Sequence, residues 1–201
     1  LVIETPKEKN SDHWSNEIPN RLTKAEALEL EVGLRGNMVI VFQYGSNCLE
    51  GEMNSLNRFN GNAKFFDVAE TVENYQLDFN IYSKKRGCVA VADIIKSGND
   101  GVWGILYEVP YELMCRETSP KGTASFDSIE GEGINYRRYW LPVKRPNGEQ
   151  LIALTYIARC PSQRSLKTEE VYTKLIIDGL KEHIKDGIPP EYIEKVKQII
   201  K

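Results

Sequence analysis

An α+β fold built on a largely antiparallel, closed sheet is what this chain predicts, from three observations. Runs of strand composition fill most of Met38 to Ala158, and amphipathic helices close the chain. Two turn signals, Ser97-Gly98-Asn99-Asp100-Gly101 and Pro146-Asn147-Gly148, separate β-rich runs as hairpin turns do. The order of elements is strand, helix, several strands, short helices, hairpin and two helices, which is the order of an α+β domain.

The elements follow from local chemistry. Leu1 to Asn20 is polar and carries Pro6 and Pro19, so it reads as a tail or arm. Thr23-Lys24-Ala25-Glu26 resembles a capping box, with Ala27, Leu28, Leu30 and Leu34 as an uneven apolar face that Gly33 and Gly36 end. Val39 to Phe42 is β-branched or aromatic and too short for a helix, so it predicts a buried strand. That strand stops at Tyr44-Gly45-Ser46-Asn47. Gly45 lacks a Cβ, which lets the backbone turn sharply and a ligand approach it. Ser46 or Asn47 can cap the next helix, expected between Cys48 and Leu56 although Gly51 weakens it. A strand, a glycine turn and a helix start together present backbone donors to an anion. A plain strand-to-helix turn with no ligand fits the same four residues.

Strands are expected over Lys64–Val72, Tyr75–Tyr82, Cys88–Ile95, Val102–Val109, Ile134–Val143 and Leu151–Ala158. Cys88–Ile95 and Val102–Val109 flank the first turn signal and read as a hairpin. Trp103 and Tyr107 read as core or sheet-surface aromatics. Pro110 starts a short helix through Met114, and Thr123 to Glu130 forms another that Gly131 and Gly133 stop. Val171, Leu175, Ile176, Leu180 and Ile184 make an apolar stripe at helical spacing, ended by Gly187. Pro190 opens the last helix, with Ile193, Val196 and Ile200 on one side.

Composition narrows the function. A chain of 201 residues is most simply one domain with a real core. Its apolar content of 41% and charged content of 27% are ordinary for a globular protein. The net charge of −3 gives no support to nucleic acid or an anionic membrane as partner. No apolar run reaches the ~20 residues a membrane span needs, and no signal peptide opens the chain. Cys48, Cys88, Cys115 and Cys160 lack Cys-x-x-Cys spacing, and His13 and His183 are far from them in sequence, so no metal site is expected. Reduced thiols and a cytoplasmic location are the simpler reading. Cys48 follows the glycine turn and is a candidate nucleophile, although no histidine stands near it in sequence.

Strand-Tyr44-Gly45-Ser46-Asn47 near the start resembles the γ-glutamylcyclotransferase family (AIG2-like). So do Val102-Trp103-Gly104-Ile105-Leu106-Tyr107, then Phe126-Asp127-Ser128-Ile129-Glu130-Gly131. The similarity continues through Thr155-Tyr156-Ile157, Pro161-Ser162 and Pro190-Glu191-Tyr192, in the family's order. It divides the chain into an extension, 1–37, and a domain, 38–201. The extension docks on the body, swaps onto a second copy in a homodimer, or is an accessory to the domain, and the sequence leaves all three open.

The resemblance implies a small six-stranded mixed barrel with helices outside and a cavity beside the glycine turn. It implies a cyclotransferase that takes a small γ-glutamyl substrate and needs no cofactor. The substrate's α-amine attacks its own γ-carbonyl, closing 5-oxoproline and expelling an amine or amino acid. Because the nucleophile arrives with the substrate, one carboxylate suffices to move the proton. Glu130 matches that group. In an apolar cavity, desolvation would raise its pKa, and Glu132 would push the same way if it came close; the other reading is of two solvated loop carboxylates. Val41, Phe42, Gln43, Tyr44, Gly45 and Ser46 match the substrate-binding turn, although Gln43 stands where relatives often have a small residue. Tyr156 matches a substrate-contacting tyrosine, with sheet packing as its other reading. Asn47 and Tyr172 are further pocket candidates; Tyr172 aligns past extra length at Gln163–Glu170. The rival function is non-catalytic binding of a small molecule or of a partner on the same fold.

Overall fold

The computed structural model describes residues 34–35, 37–83, 87, 89–96, 101–115, 118–121, 123–162 and 166–200. The helix expected from Thr23 and most of the first turn signal lie outside them, except that Leu34, expected on that helix's apolar face, is in a strand. The strands are β1 (Leu34–Arg35), β2 (Met38–Gln43), β3 (Lys64–Thr71), β4 (Tyr75–Ser83), β5 (Val89–Lys96), β6 (Trp103–Pro110), β7 (Tyr136–Lys144) and β8 (Gln150–Ala158). The α-helices are α1 (Glu50–Met53), α2 (Phe126–Glu130), α3 (Glu170–Glu182) and α4 (Pro190–Ile199).

One sheet runs β1-β2-β6-β3-β7-β8 and closes on itself where β2 meets β8. The closing pair is parallel, with Val41 opposite Leu154, and the other pairs are antiparallel. The barrel is therefore mixed, as expected, but five strands close it; β1 is a two-residue flank on β2. Val41 and Phe42, and likewise Ile105 and Leu106, are consecutive and wholly buried, so these strands are covered on the barrel's inner and outer faces alike.

The first expected hairpin does not form. β5 pairs with β4 in a separate two-stranded sheet, whereas β6 runs between β2 and β3 in the barrel. A Gly/Asn-rich turn specifies a local change of direction, but burial chooses the neighbours. β6 is buried on both faces from Gly104 to Tyr107, and in the barrel it has a partner at each edge. The second hairpin forms as read: β7 and β8 pair from Tyr136↔Ala158 to Lys144↔Gln150, across a turn in which Arg145 N–H donates to the Glu149 carbonyl at 2.8 Å.

α3 differs from its expected stripe. Val171 and Ile184 are exposed, and the buried side is Tyr172, Ile176 and Leu180, with Thr173 and Gly179. The helix ends at Glu182, and a separate 3-10 turn carries Ile184. Gly179 explains how closely the helix seats: a Cβ there would fall 2.3 Å from the Cys48 carbonyl carbon and the Leu49 nitrogen. The backbone of α3 thus rests directly on the turn that follows β2.

Candidate functional site

The site begins where β2 leaves the barrel. Gln43 ends the strand, and Gly45 precedes a 3-10 turn over Ser46–Cys48 in which Cys48 N–H donates to the Gly45 carbonyl at 2.9 Å. Gly45 has φ −101°, so the turn does not use the left-handed region that favours glycine. Space is what its missing Cβ provides: a Cβ would touch Tyr172 Oη at 3.4 Å and Ala92 Cβ at 3.5 Å. No side chain caps the turn, contrary to the capping role expected for Ser46 or Asn47. The Asn47 side chain instead donates to Gln43 Oε1 and Glu130 Oε1, each at 2.8 Å.

α2 delivers Glu130. Ser125 caps its start by accepting from Ser128 N–H at 3.2 Å, and Gly131 ends it in the left-handed region with φ 68°. Phe126 anchors the helix: it is fully buried, edge-on to Phe59 at 4.9 Å and tilted against Tyr156 at 4.8 Å. Glu130, at the other end of this short helix, then lines one open cavity together with the glycine turn. Glu132 does not line that cavity; its N–H donates to the Asp127 carbonyl at 2.8 Å.

Of the residues selected from the sequence, Gln43, Tyr44, Gly45, Ser46, Asn47 and Glu130 line this one cavity, as do Tyr156 and Tyr172. Val41 and Phe42 do not. Both side chains are wholly buried in the barrel, and the Phe42 carbonyl is taken by the Thr155 hydroxyl at 2.9 Å. They support the turn rather than face a ligand.

The tyrosines are braced. Tyr156 donates to Asp127 Oδ1 at 2.7 Å, and Arg138 Nε lies 3.1 Å from the same oxygen. Burial first, then the Asp127 charge, pushes the Tyr156 phenol well above its ordinary range, so it remains a donor. Tyr44 donates to the Tyr156 carbonyl at 2.5 Å and is pushed up by burial and then by Asp93. Ala92 in β5 is held at both polar groups: its N–H donates to Tyr172 Oη at 3.0 Å, and its carbonyl accepts from Tyr136 Oη at 2.7 Å. These bonds dock the two-stranded sheet onto α3 and onto β7 of the barrel, where Ile81, Tyr82 and Val91 become one wall of the cavity.

Cys48 is not a nucleophile here. It is fully buried, burial pushes its thiol up to about 12, and Sγ donates to the Gln43 carbonyl at 3.2 Å. Among the described residues, no group of three or more His, Cys, Asp or Glu side chains could hold a metal ion. No described helix is long and apolar enough to cross a membrane.

Arg58 was not foreseen. It lines the cavity, donates to Asn47 Oδ1 at 2.5 Å and pairs with Glu52 at 3.1 Å. It sits in no motif, and a lone arginine in a loop carries no signal in sequence. Tyr136 and Thr155 also reach the cavity. Each is adjacent to a residue that was selected or lies on a strand that was expected, but alternation alone does not say which end of a strand meets a ligand.

Comparison with known proteins bears on this arrangement. The family described as "Gamma-glutamyl cyclotransferase, AIG2-like" matches residues 41–174, which include the glycine turn, Glu130, Tyr156 and Tyr172. Comparison with curated proteins gives no match. Among solved structures, one titled "Gamma-glutamyl cyclotransferase" superposes with TM-score 0.64 at 26% identity, over 80% of this chain and 86% of that one. An uncharacterised protein from Homo sapiens superposes with TM-score 0.65 at 27% identity, over 80% of this chain and 87% of its own. YkqA from Bacillus subtilis, at 18% identity and TM-score 0.65, shares the fold over 90% of this chain and 61% of its own length.

Proposed function

The chain belongs to the gamma-glutamyl cyclotransferase, AIG2-like family, and from that premise we propose that it releases 5-oxoproline and an amine or amino acid from γ-glutamyl compounds. One observation carries the reading: Glu130 lines the same open cavity as Gly45 and Ser46, with its carboxylate held by the Asn47 side chain at 2.8 Å. A substrate seated there has its γ-carbonyl between a proton acceptor and a backbone edge.

In the proposed step, the α-amine nitrogen forms a bond to the γ-carbon, and the tetrahedral oxyanion collapses by breaking the bond to the leaving nitrogen. Glu130 takes the proton that the α-amine loses and returns it to that leaving nitrogen, so no net proton or electron is consumed. The Gly45 and Ser46 backbone supports either the α-carboxylate or the oxyanion. Holding the substrate in its ring-closing conformer can contribute ~7–11 kcal/mol in favourable systems, which a braced wall such as Tyr44, Tyr156 and Tyr172 is suited to supply.

The test is incubation with a panel of γ-glutamyl amino acids, peptides and amines, followed by assay of 5-oxoproline. Release from at least one class is expected. Saturable binding of the panel without release would replace the reading with non-catalytic binding on the same fold.

A further inference from the structure

Arg58 donates to the Asn47 carbonyl oxygen, and the nitrogen of the same amide donates to Glu130. Building on the reading of Glu130 as the proton-transferring group, we propose that Arg58 is a positioning residue for that carboxylate, acting through the Asn47 amide.

Hydrogen-bond direction carries the argument. A guanidinium only donates, so the Asn47 atom it contacts at 2.5 Å must be the carbonyl oxygen. The Asn47 nitrogen is thereby turned to the other side, where it donates to Glu130 Oε1 and Gln43 Oε1. Gln43 agrees from its own end: its nitrogen donates to the Phe42 carbonyl at 3.0 Å, which leaves its oxygen toward Asn47. Without Arg58 the Asn47 carbonyl loses its fixed donor, and only the Gln43 and Glu130 oxygens then hold the amide; turned over, its carbonyl would oppose a carboxylate oxygen. Such a contact repels.

The loop that carries Arg58 is built to hold it there. Glu52 pairs with its other terminal nitrogen at 3.1 Å. Asn54 ties the loop shut, donating to the Ala63 carbonyl at 2.8 Å and accepting from Ala63 N–H at 3.0 Å. Phe59, next to Arg58, is fully buried against Phe126 of α2, the helix that ends in Glu130. The loop and the helix are therefore packed on each other. A donor on the carboxylate favours its ionised form and fixes one of its oxygens. Other ionisable groups face this region: Asp127 from α2, Tyr44 at the end of β2 and Tyr156 from β8, with Arg138 of β7 on Asp127 and Glu52 on Arg58. The proposed variants of Arg58 and Asn47 leave all of those side chains unchanged except Arg58 itself.

The experiment compares Arg58→Met, Arg58→Lys, Asn47→Ala and the Arg58→Met/Asn47→Ala pair in the full chain. Two readouts are used: NMR titration of the Glu130 side-chain carboxyl, and kcat and KM on a γ-glutamyl compound that the wild type turns over. Arg58→Met is expected to raise the Glu130 midpoint by about 1 unit and lower kcat about 10- to 100-fold, with KM nearly unchanged. Arg58→Lys, still a donor, should restore much of both. In the Asn47→Ala background, loss of Arg58 should add little, because the two act as one unit. An unshifted midpoint in a folded Arg58→Met protein overturns the proposal, as does independent, additive loss in the double variant. A KM increase with kcat intact also overturns it and makes Arg58 a substrate contact. Should Arg58→Met fail to fold, Glu52→Ala loosens Arg58 while keeping it; a shift in the same direction supports the proposal, and none overturns it. A wild-type chain that releases no 5-oxoproline refutes the functional reading, while the titration still decides the role of Arg58.

Discussion

The Asn47 amide nitrogen lies 2.8 Å from Glu130 Oε1, which joins the turn after β2 to the end of α2 across 83 residues of chain. This bond brings the motif Tyr44–Asn47 and the motif Phe126–Gly131 into one cavity. It also makes the Glu130 carboxylate the natural first target for mutation.

Glu130→Gln keeps the size of the side chain and removes its capacity as a base. General acid–base groups contribute roughly 10²–10⁴-fold, so kcat for 5-oxoproline release should fall by about that factor while substrate affinity, read by calorimetry, persists. Glu132→Gln, outside the cavity lining, should change the rate only modestly. Near-normal turnover by the Glu130 variant would remove Glu130 from the mechanism.

Gly45 separates folding from binding. Its φ of −101° lies outside the left-handed region that favours glycine, and an added Cβ meets only ordinary contacts at 3.4 and 3.5 Å. Gly45→Ala should therefore melt close to the wild type. Gly45→Val puts branched bulk into the cavity, and KM should rise at least about 10-fold, the equivalent of ~1.4 kcal/mol of binding. Unaltered KM in a folded Gly45→Val protein would mean that the substrate does not approach this backbone.

Gly179 should behave in the opposite way. Its Cβ would sit 2.3 Å from backbone atoms of Cys48 and Leu49, so α3 would have to move off the turn. Overpacking of this kind costs about 1–3 kcal/mol. Urea denaturation of Gly179→Ala should show that loss, and the displaced turn should reduce activity as well.

Asp93 provides a pH test. It is buried, its carboxylate accepts from Ala158 N–H at 2.8 Å, and burial pushes it from 3.8 up to about 7. Between those values the folded state keeps a proton that the unfolded state releases. This group therefore favours folding most at low pH, and its contribution declines as pH rises from about 4 to about 7. The span corresponds to up to about 4 kcal/mol. Asp93→Asn keeps an acceptor for Ala158 N–H and should lose this pH dependence, so the difference in stability between variant and wild type should grow in favour of the variant up to about pH 7 and then level off. A constant difference across that range would mean that Asp93 stays ionised in the folded chain.

Resemblance to the family, not a local signal, grouped Glu130 with the Tyr-Gly-Ser-Asn motif, whereas local signals in the chain determined the strand Met38–Gln43 and its glycine turn, the short helix closed by Gly131 and the hairpin across Asn147-Gly148. Each depends on residues a few positions apart, where backbone preference and side-chain period act directly. Tertiary structure alone decided the partner of β5, the exposure of Val171, the burial that keeps Cys48 protonated and the place of Arg58 beside Asn47. Those outcomes depend on which surfaces are buried together and how closely backbones approach, as where Gly179 meets Cys48. Gly179 and Cys48 are distant in sequence, and even the nearer pairs, Arg58 with Asn47 and β5 with β4, are chosen by packing that no local pattern encodes.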